Sequence, residues 1–144
     1  MLALVRPDSF NVPLFLHVLG AMLLVGTTAA TAALAVAGWR SEREWIFSAT
    51  LRSLLIGVLP AWLLTRVAAQ WVLDKWDYGD NEPGWVGVGF AVTEPGLILL
   101  LLALLFAWLA RRRNGGWPIK AAAVVLIVYS AALAVAWWVM SAKP

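Results

Sequence analysis

Four ionisable side chains fall inside long apolar stretches of this sequence: His17, Arg52, Arg66 and Glu94. Charge in such surroundings is expensive, so each needs a partner, a route to water or a function. A guanidinium and a carboxylate at one depth pair with each other. With an imidazole beside them they can relay protons or hold an anion. An imidazole alone can instead ligate a metal ion or a haem iron. Little other chemistry is on offer. There is no cysteine, which removes disulfides, thiolate metal sites and thiol redox reactions. We find no nucleophile with a base, no phosphate-binding glycine loop and no paired-histidine metal motif. The run Asp77-Tyr78-Gly79-Asp80-Asn81-Glu82 does not match a calcium loop's alternating ligands and distant glutamate, and reads as a solvated acidic loop. Catalysis is not expected.

The elements that must position these groups follow from composition. Hydrophobic residues make up 62% of the 144 and charged residues only 13%, against about 25% charged in a soluble domain. A helix needs about 20 apolar residues to cross a hydrocarbon core of roughly 30 Å. Four stretches qualify, at about residues 12–38, 45–73, 90–110 and 118–141. Lipid cannot satisfy free backbone groups, so the spans are helices. Their first and last connections are short, which makes neighbours antiparallel. The expectation is one all-α integral membrane domain over residues 1–144, a four-helix transmembrane bundle of two antiparallel hairpins. No secretory signal peptide is expected, because the apolar run after residue 11 is too long for a signal's apolar region.

Basic residues give the direction. Arg40, Arg43, Arg111, Arg112, Arg113 and Lys120 lie on one side, and Arg6, Lys75 and Lys143 on the other. Basic loops stay in the cytoplasm. The chain is therefore expected as a multi-pass protein of the cell membrane, with loops 39–44 and 111–117 cytoplasmic and both termini outside. The Arg111–Arg113 triplet reads as a topology determinant that touches anionic lipid. A nucleic-acid partner is not expected of a short loop at a bilayer surface. Tryptophans fall at the same boundaries: Trp39, Trp45, Trp108 and Trp117 inside, and Trp71, Trp76, Trp85, Trp137 and Trp138 outside. Indole suits an interface because it joins an apolar body to a polar N–H. Trp62 falls well within the second span.

Depth then sorts the charges. Arg52 lies near the cytoplasmic start of its span, and helical side chains lean toward the helix N-terminus, so it snorkels to water. Arg66 lies near the opposite end and leans inward, so it needs a partner. Glu94 shares its outer-leaflet depth, and His17 falls at the outer boundary of the first span. Arg66 shares a face with Leu59, Leu63 and Gln70, and His17 with Gly20, Ala21, Thr28 and Thr31. Small and polar faces normally turn inward. The expectation is an inward polar cluster of His17, Arg66, Gln70 and Glu94, a candidate ligand or ion site. Pro95 directly succeeds Glu94 and marks a helix break. Either the third helix starts at Pro95, capped by Thr93 or Glu94, or a longer helix from near Gly84 is disturbed there.

Small residues let helices approach closely in lipid. Span 1 carries Gly20, Gly26 and the run Thr27 to Ala33; span 4 carries Ala121 to Ala123, Ser130 to Ala132, Ala134 and Ala136. These two are candidates for close contact within the chain or between subunits. Span 3, nearly all leucine from Leu97 to Leu105, reads as lipid-facing.

The run Leu16-His17-Val18-Leu19-Gly20, with Gly26 nine residues after the histidine, resembles the first helix of copper-resistance-protein-D-like bacterial membrane proteins and of related haem-metabolism-linked ones. The resemblance covers about 15 residues. It implies a helical bundle with metal or haem contact through His17. Those families use further histidines, and this chain has none, so a second ligand would be Met22, Met140 or a residue of a second subunit. Three functions are thus expected to compete. The first is a non-catalytic accessory subunit or homo-oligomeric component whose partners are lipid and other membrane subunits or itself. The second is transport of protons, ions or small solutes through His17, Arg66 and Glu94. The third is haem or metal binding at His17.

Overall fold

The computed structural model describes residues 8–76 and 84–142, without the side chain of Trp85. Asp77, Asp80, Glu82, Arg6, Lys143 and the Trp85 indole lie outside the described residues.

A short 3-10 turn, Asp8–Phe10, leads into α1, Asn11–Ser41. The second rod is built in three pieces: α2, Glu44–Ser53, a π-helical turn, Leu54–Val58, and α3, Leu59–Lys75. Helices α4, Gly84–Arg113, and α5, Trp117–Ser141, complete the fold. Among the described residues there is no strand. Four rods, Asp8–Ser41, Glu44–Lys75, Val86–Arg113 and Trp117–Ser141, are each long and apolar enough to cross a membrane.

The two short turns share one end of the bundle, the arginine-rich end. Helix α1 stops where Glu42 takes a left-handed φ of 51° and donates its N–H to the Gly38 carbonyl at 3.0 Å. That single bond back across the last turn is the simplest left-handed helix stop. Helix α4 stops with Asn114 at φ 53° and the Gly115 N–H on the Ala110 carbonyl at 2.8 Å, the six-to-one bond of a Schellman ending. Gly115 itself has φ 98°. A Cβ there would sit 2.8 Å from Phe47 Cζ, so both conformation and space require glycine. Pro118 then sits in the first turn of α5, where its missing N–H costs nothing.

The π turn has a local cause. Pro60 has no N–H, and in regular α geometry its ring would strike the carbonyl four residues back. The preceding turn is widened instead, and the Leu59 N–H reaches back five residues to the Leu54 carbonyl.

Around the bundle, α1 packs on both the second rod and α5, and α4 packs on α5. The expected close contact of the first and fourth helices is formed: a Cβ on Gly38 would lie 3.2 Å from Ile119 Cγ1. Helix α1 also presses on α3 at Gly20, whose Cβ would fall 2.9 Å from the Thr65 backbone nitrogen. Helices α4 and α5 meet where the Tyr129 ring lies over Gly96. The core between them holds Leu24, Ala35, Phe47, Leu54, Leu100 and Leu126. The fourth side of the ring is unequal. Helix α2 packs well on α4 near the arginine-rich end, whereas α3 and α4 barely touch toward the other end.

Of the two forms expected for the third helix, the longer one from near Gly84 is found, and the expected start or break at Pro95 is corrected. Helix α4 begins at Gly84 and runs through Pro95. Proline removes one donor from the ladder, and one turn earlier Thr93 Oγ1 donates to the Gly89 carbonyl at 2.7 Å.

Candidate functional site

The gap between α3 and α4 is where the sequence-predicted charges meet. Arg66 Nε donates to Glu94 Oε1 at 2.6 Å. Arg66 Nη1 donates to Gln70 Oε1 at 3.1 Å, and Gln70 Nε2 donates to Asp74 Oδ1 at 2.9 Å. Glu94, Arg66, Gln70 and Asp74 thus form a ladder climbing toward the acidic end. Three of its members recur every fourth residue on α3, so they stack on one helix face. Arg66 reaches along α3 toward Gln70, one turn nearer the C-terminus, and its guanidinium carbon lies 5.0 Å from the centre of the Phe90 ring. Phe90 stands one turn before Glu94, so α4 offers the arginine a ring face and a carboxylate together.

A second bond spans the gap lower down. Trp62 is buried, and its Nε1–H donates to the Thr93 carbonyl at 2.9 Å. Above it opens a groove of about 590 Å³, walled by Leu63, Val67 and Trp71 and crossed by the ladder.

The ladder faces out of the bundle, which corrects the expectation of an inward cluster. The Glu94 side chain is 53% exposed and that of Arg66 26%, while Leu63 and Gln70 on the same face are exposed. Arg66 uses Nε and Nη1, and Glu94 uses Oε1. Both Nη2 hydrogens, the second Nη1 hydrogen and one acceptor, Oε2, therefore remain for a further partner.

His17 takes a different position. The face it shares with Gly20, Thr28 and Thr31 does turn inward, since all three are buried. Its Nδ1 lies 3.4 Å from the Thr65 carbonyl, a long contact across the α1–α3 crossing. Thr65 and Arg66 are successive residues about 100° apart around a helix, so the imidazole approaches a different side of α3 from the one that carries the ladder. The residues present do not assemble a histidine–methionine haem site. Met22 is exposed on the perimeter, and the Met140 methyl packs at Gly89. Among the described residues no three metal-binding side chains gather.

Inside the bundle the polar groups are hydroxyls. Thr31 Oγ1 bonds to Ser53 Oγ at 2.5 Å, tying α1 to α2. Thr28 Oγ1, Tyr129 Oη and Ser130 Oγ are buried with no hydrogen-bond partner among the described residues.

Asp74, Phe90 and Trp62 belong to this site and were not singled out from the sequence as members. The signals existed for two of them. Asp74 lies four residues after Gln70, and Phe90 four before Glu94, the spacing of same-face neighbours. No known protein family, curated protein or solved structure matches the chain.

Proposed function

We propose that this chain is a non-catalytic, multi-pass component of the cell membrane that assembles with a second copy of itself through the α3–α4 groove. The observation that carries this reading is the place of the Arg66–Glu94 pair, on the rim of an apolar bundle and half open. Glu94 is 14 residues from Trp108, or about 21 Å along the helix, which lies within a hydrocarbon core of roughly 30 Å. Lipid tails cannot serve the acceptor and donors that the pair leaves unused, so a protein surface covers them. An acid and a base at one depth on one face make a patch that is self-complementary about a twofold axis along the membrane normal. The carboxylate of each copy then meets the guanidinium of the other. The arginine-rich turns set the direction: loops 39–44 and 111–117 face the cytoplasm, and the ladder sits in the outer leaflet.

The geometry favours assembly over transport. The ladder rises along the outside of the bundle, and among the described residues the buried polar groups include the hydroxyls of Thr28, Thr31, Thr50, Thr65, Tyr129 and Ser130. None of these carries a charge.

The chain's lack of cysteine makes the test direct. Single substitutions Leu63→Cys and Val67→Cys, at exposed groove positions, should give disulfide-linked dimers when membranes are oxidised. Leu101→Cys and Val128→Cys, exposed elsewhere on the perimeter, should not. Equal cross-linking at all four positions, or none beside a monomeric native mass, contradicts the proposal.

A further inference from the structure

The second rod carries another groove, at the arginine-rich end and away from the ladder. It has a volume of about 730 Å³ and is lined by Trp45, Ser48, Ala49, Arg52, Ile56 and Gly57, with Ser53 at its edge. Arg52 is exposed there. It is seven residues from Trp45, about 10 Å along the helix, and its side chain leans toward that end. Arg66 has Glu94, but among the described residues Arg52 has neither an ion pair nor a hydrogen-bond acceptor. Ser48 sits one turn nearer the surface on the same face, so its hydroxyl can donate beside the guanidinium. The Ser53 hydroxyl is already bonded to Thr31. The floor is shallow because Ala49 and Gly57 are small, and Ile56 projects from the π turn with most of its side chain exposed.

We propose that this groove is a binding site for one anionic phospholipid of the cytoplasmic leaflet. The headgroup phosphate lies against Arg52 and Ser48, and an acyl chain lies over Ala49, Gly57 and Ile56. Charge complementarity selects this occupant. The lining contains one cation and no carboxylate, so it neutralises a net anion and offers no counter-charge to the quaternary ammonium of a zwitterionic lipid. A guanidinium also matches phosphate through paired N–H donors. Trp45, exposed at the rim, supplies an indole at the headgroup level. The inference rests on the membrane reading and its orientation but not on the dimer.

The test is native mass spectrometry of delipidated protein in neutral detergent, titrated with phosphatidylglycerol or with phosphatidylcholine of the same chains. The intact protein should bind its first phosphatidylglycerol about fivefold to tenfold more tightly than phosphatidylcholine, the size of one well-placed basic contact. Arg52→Gln should abolish that preference, while Arg52→Lys keeps part of it and Lys75→Gln, exposed at the opposite end of the same rod, leaves it unchanged. Helicity by circular dichroism should be equal in all four proteins. An Arg52→Gln protein that still prefers phosphatidylglycerol overturns the site, as does an equal loss in Lys75→Gln, which would mean general surface charge. A chain that stays soluble without detergent would defeat the membrane reading itself, a separate outcome.

Discussion

At the scale of the residue, hydrogen-bond accounting decides what each polar group is for. Trp62 and Tyr129 are both buried aromatic residues with a polar tip, yet they stand differently. The Trp62 N–H is used, on the Thr93 carbonyl across the α3–α4 gap. The Tyr129 hydroxyl has no partner among the described residues. Replacing each by phenylalanine should therefore shift stability in opposite directions. Trp62→Phe should cost about 0.6–1.7 kcal/mol, the usual range for a hydrogen bond between membrane helices. Tyr129→Phe should be neutral or stabilising by about 1 kcal/mol, because a buried unmet hydroxyl is lost. Reversible unfolding in mixed detergent measures both, and a Tyr129→Phe protein less stable than Trp62→Phe would show that the hydroxyl is engaged. The pairing of Arg66 with Glu94 was legible from depth alone: both count to one level in neighbouring spans, and a lone charge there is untenable. Which way the pair faces was not. The rule that polar faces turn inward holds for Thr28 and Thr31 but fails for Arg66, because Glu94 on the rim of α4 meets it there.

At the scale of the element, the helices are set by where backbones come close and where a proline disturbs them. The α1–α3 crossing depends on Gly20, against which the Thr65 backbone packs. Gly26 in the same helix has open space around it. Gly20→Val should thus destabilise by about 1–3 kcal/mol, the cost of overpacking a closed contact. Gly26→Val should change little, and equal effects in the same unfolding measurement would refute the crossing as described. Existence and approximate bounds of four helices were readable because apolar runs of this length are long enough to span a bilayer, and a spanning segment must be helical. The two prolines read differently. Pro95 left two forms open, a helix starting there or a longer one from near Gly84, and α4 takes the longer form and passes through it. Pro60 drew no attention, although it widens the preceding turn into Leu54–Val58. One extra residue in that turn rotates α3 against α2 by roughly a quarter turn. No face drawn from α2 can therefore be continued into α3, and sequence spacing alone does not register the shift.

At the scale of the whole molecule, the bundle is closed on three sides and open on the fourth. Helices α3 and α4 diverge, and into that gap the chain puts its ion pair, its Gln70–Asp74 extension and an aromatic wall. Charge is sparse elsewhere on the apolar perimeter, where Arg52 marks the proposed lipid groove. In the proposed assembly the open side is a joint between two copies. Two charge reversals, Arg66→Glu and Glu94→Arg, test that joint most directly. Each alone places like charges on both sides of the twofold axis, so neither variant should associate with itself. Together they are complementary, one groove doubly acidic and the other doubly basic. With a different tag on each variant and both expressed in one cell, each should pull down the other and neither should pull down its own kind. Self-association of either variant at the level of the unaltered chain, or no association when the two are mixed, would contradict the joint.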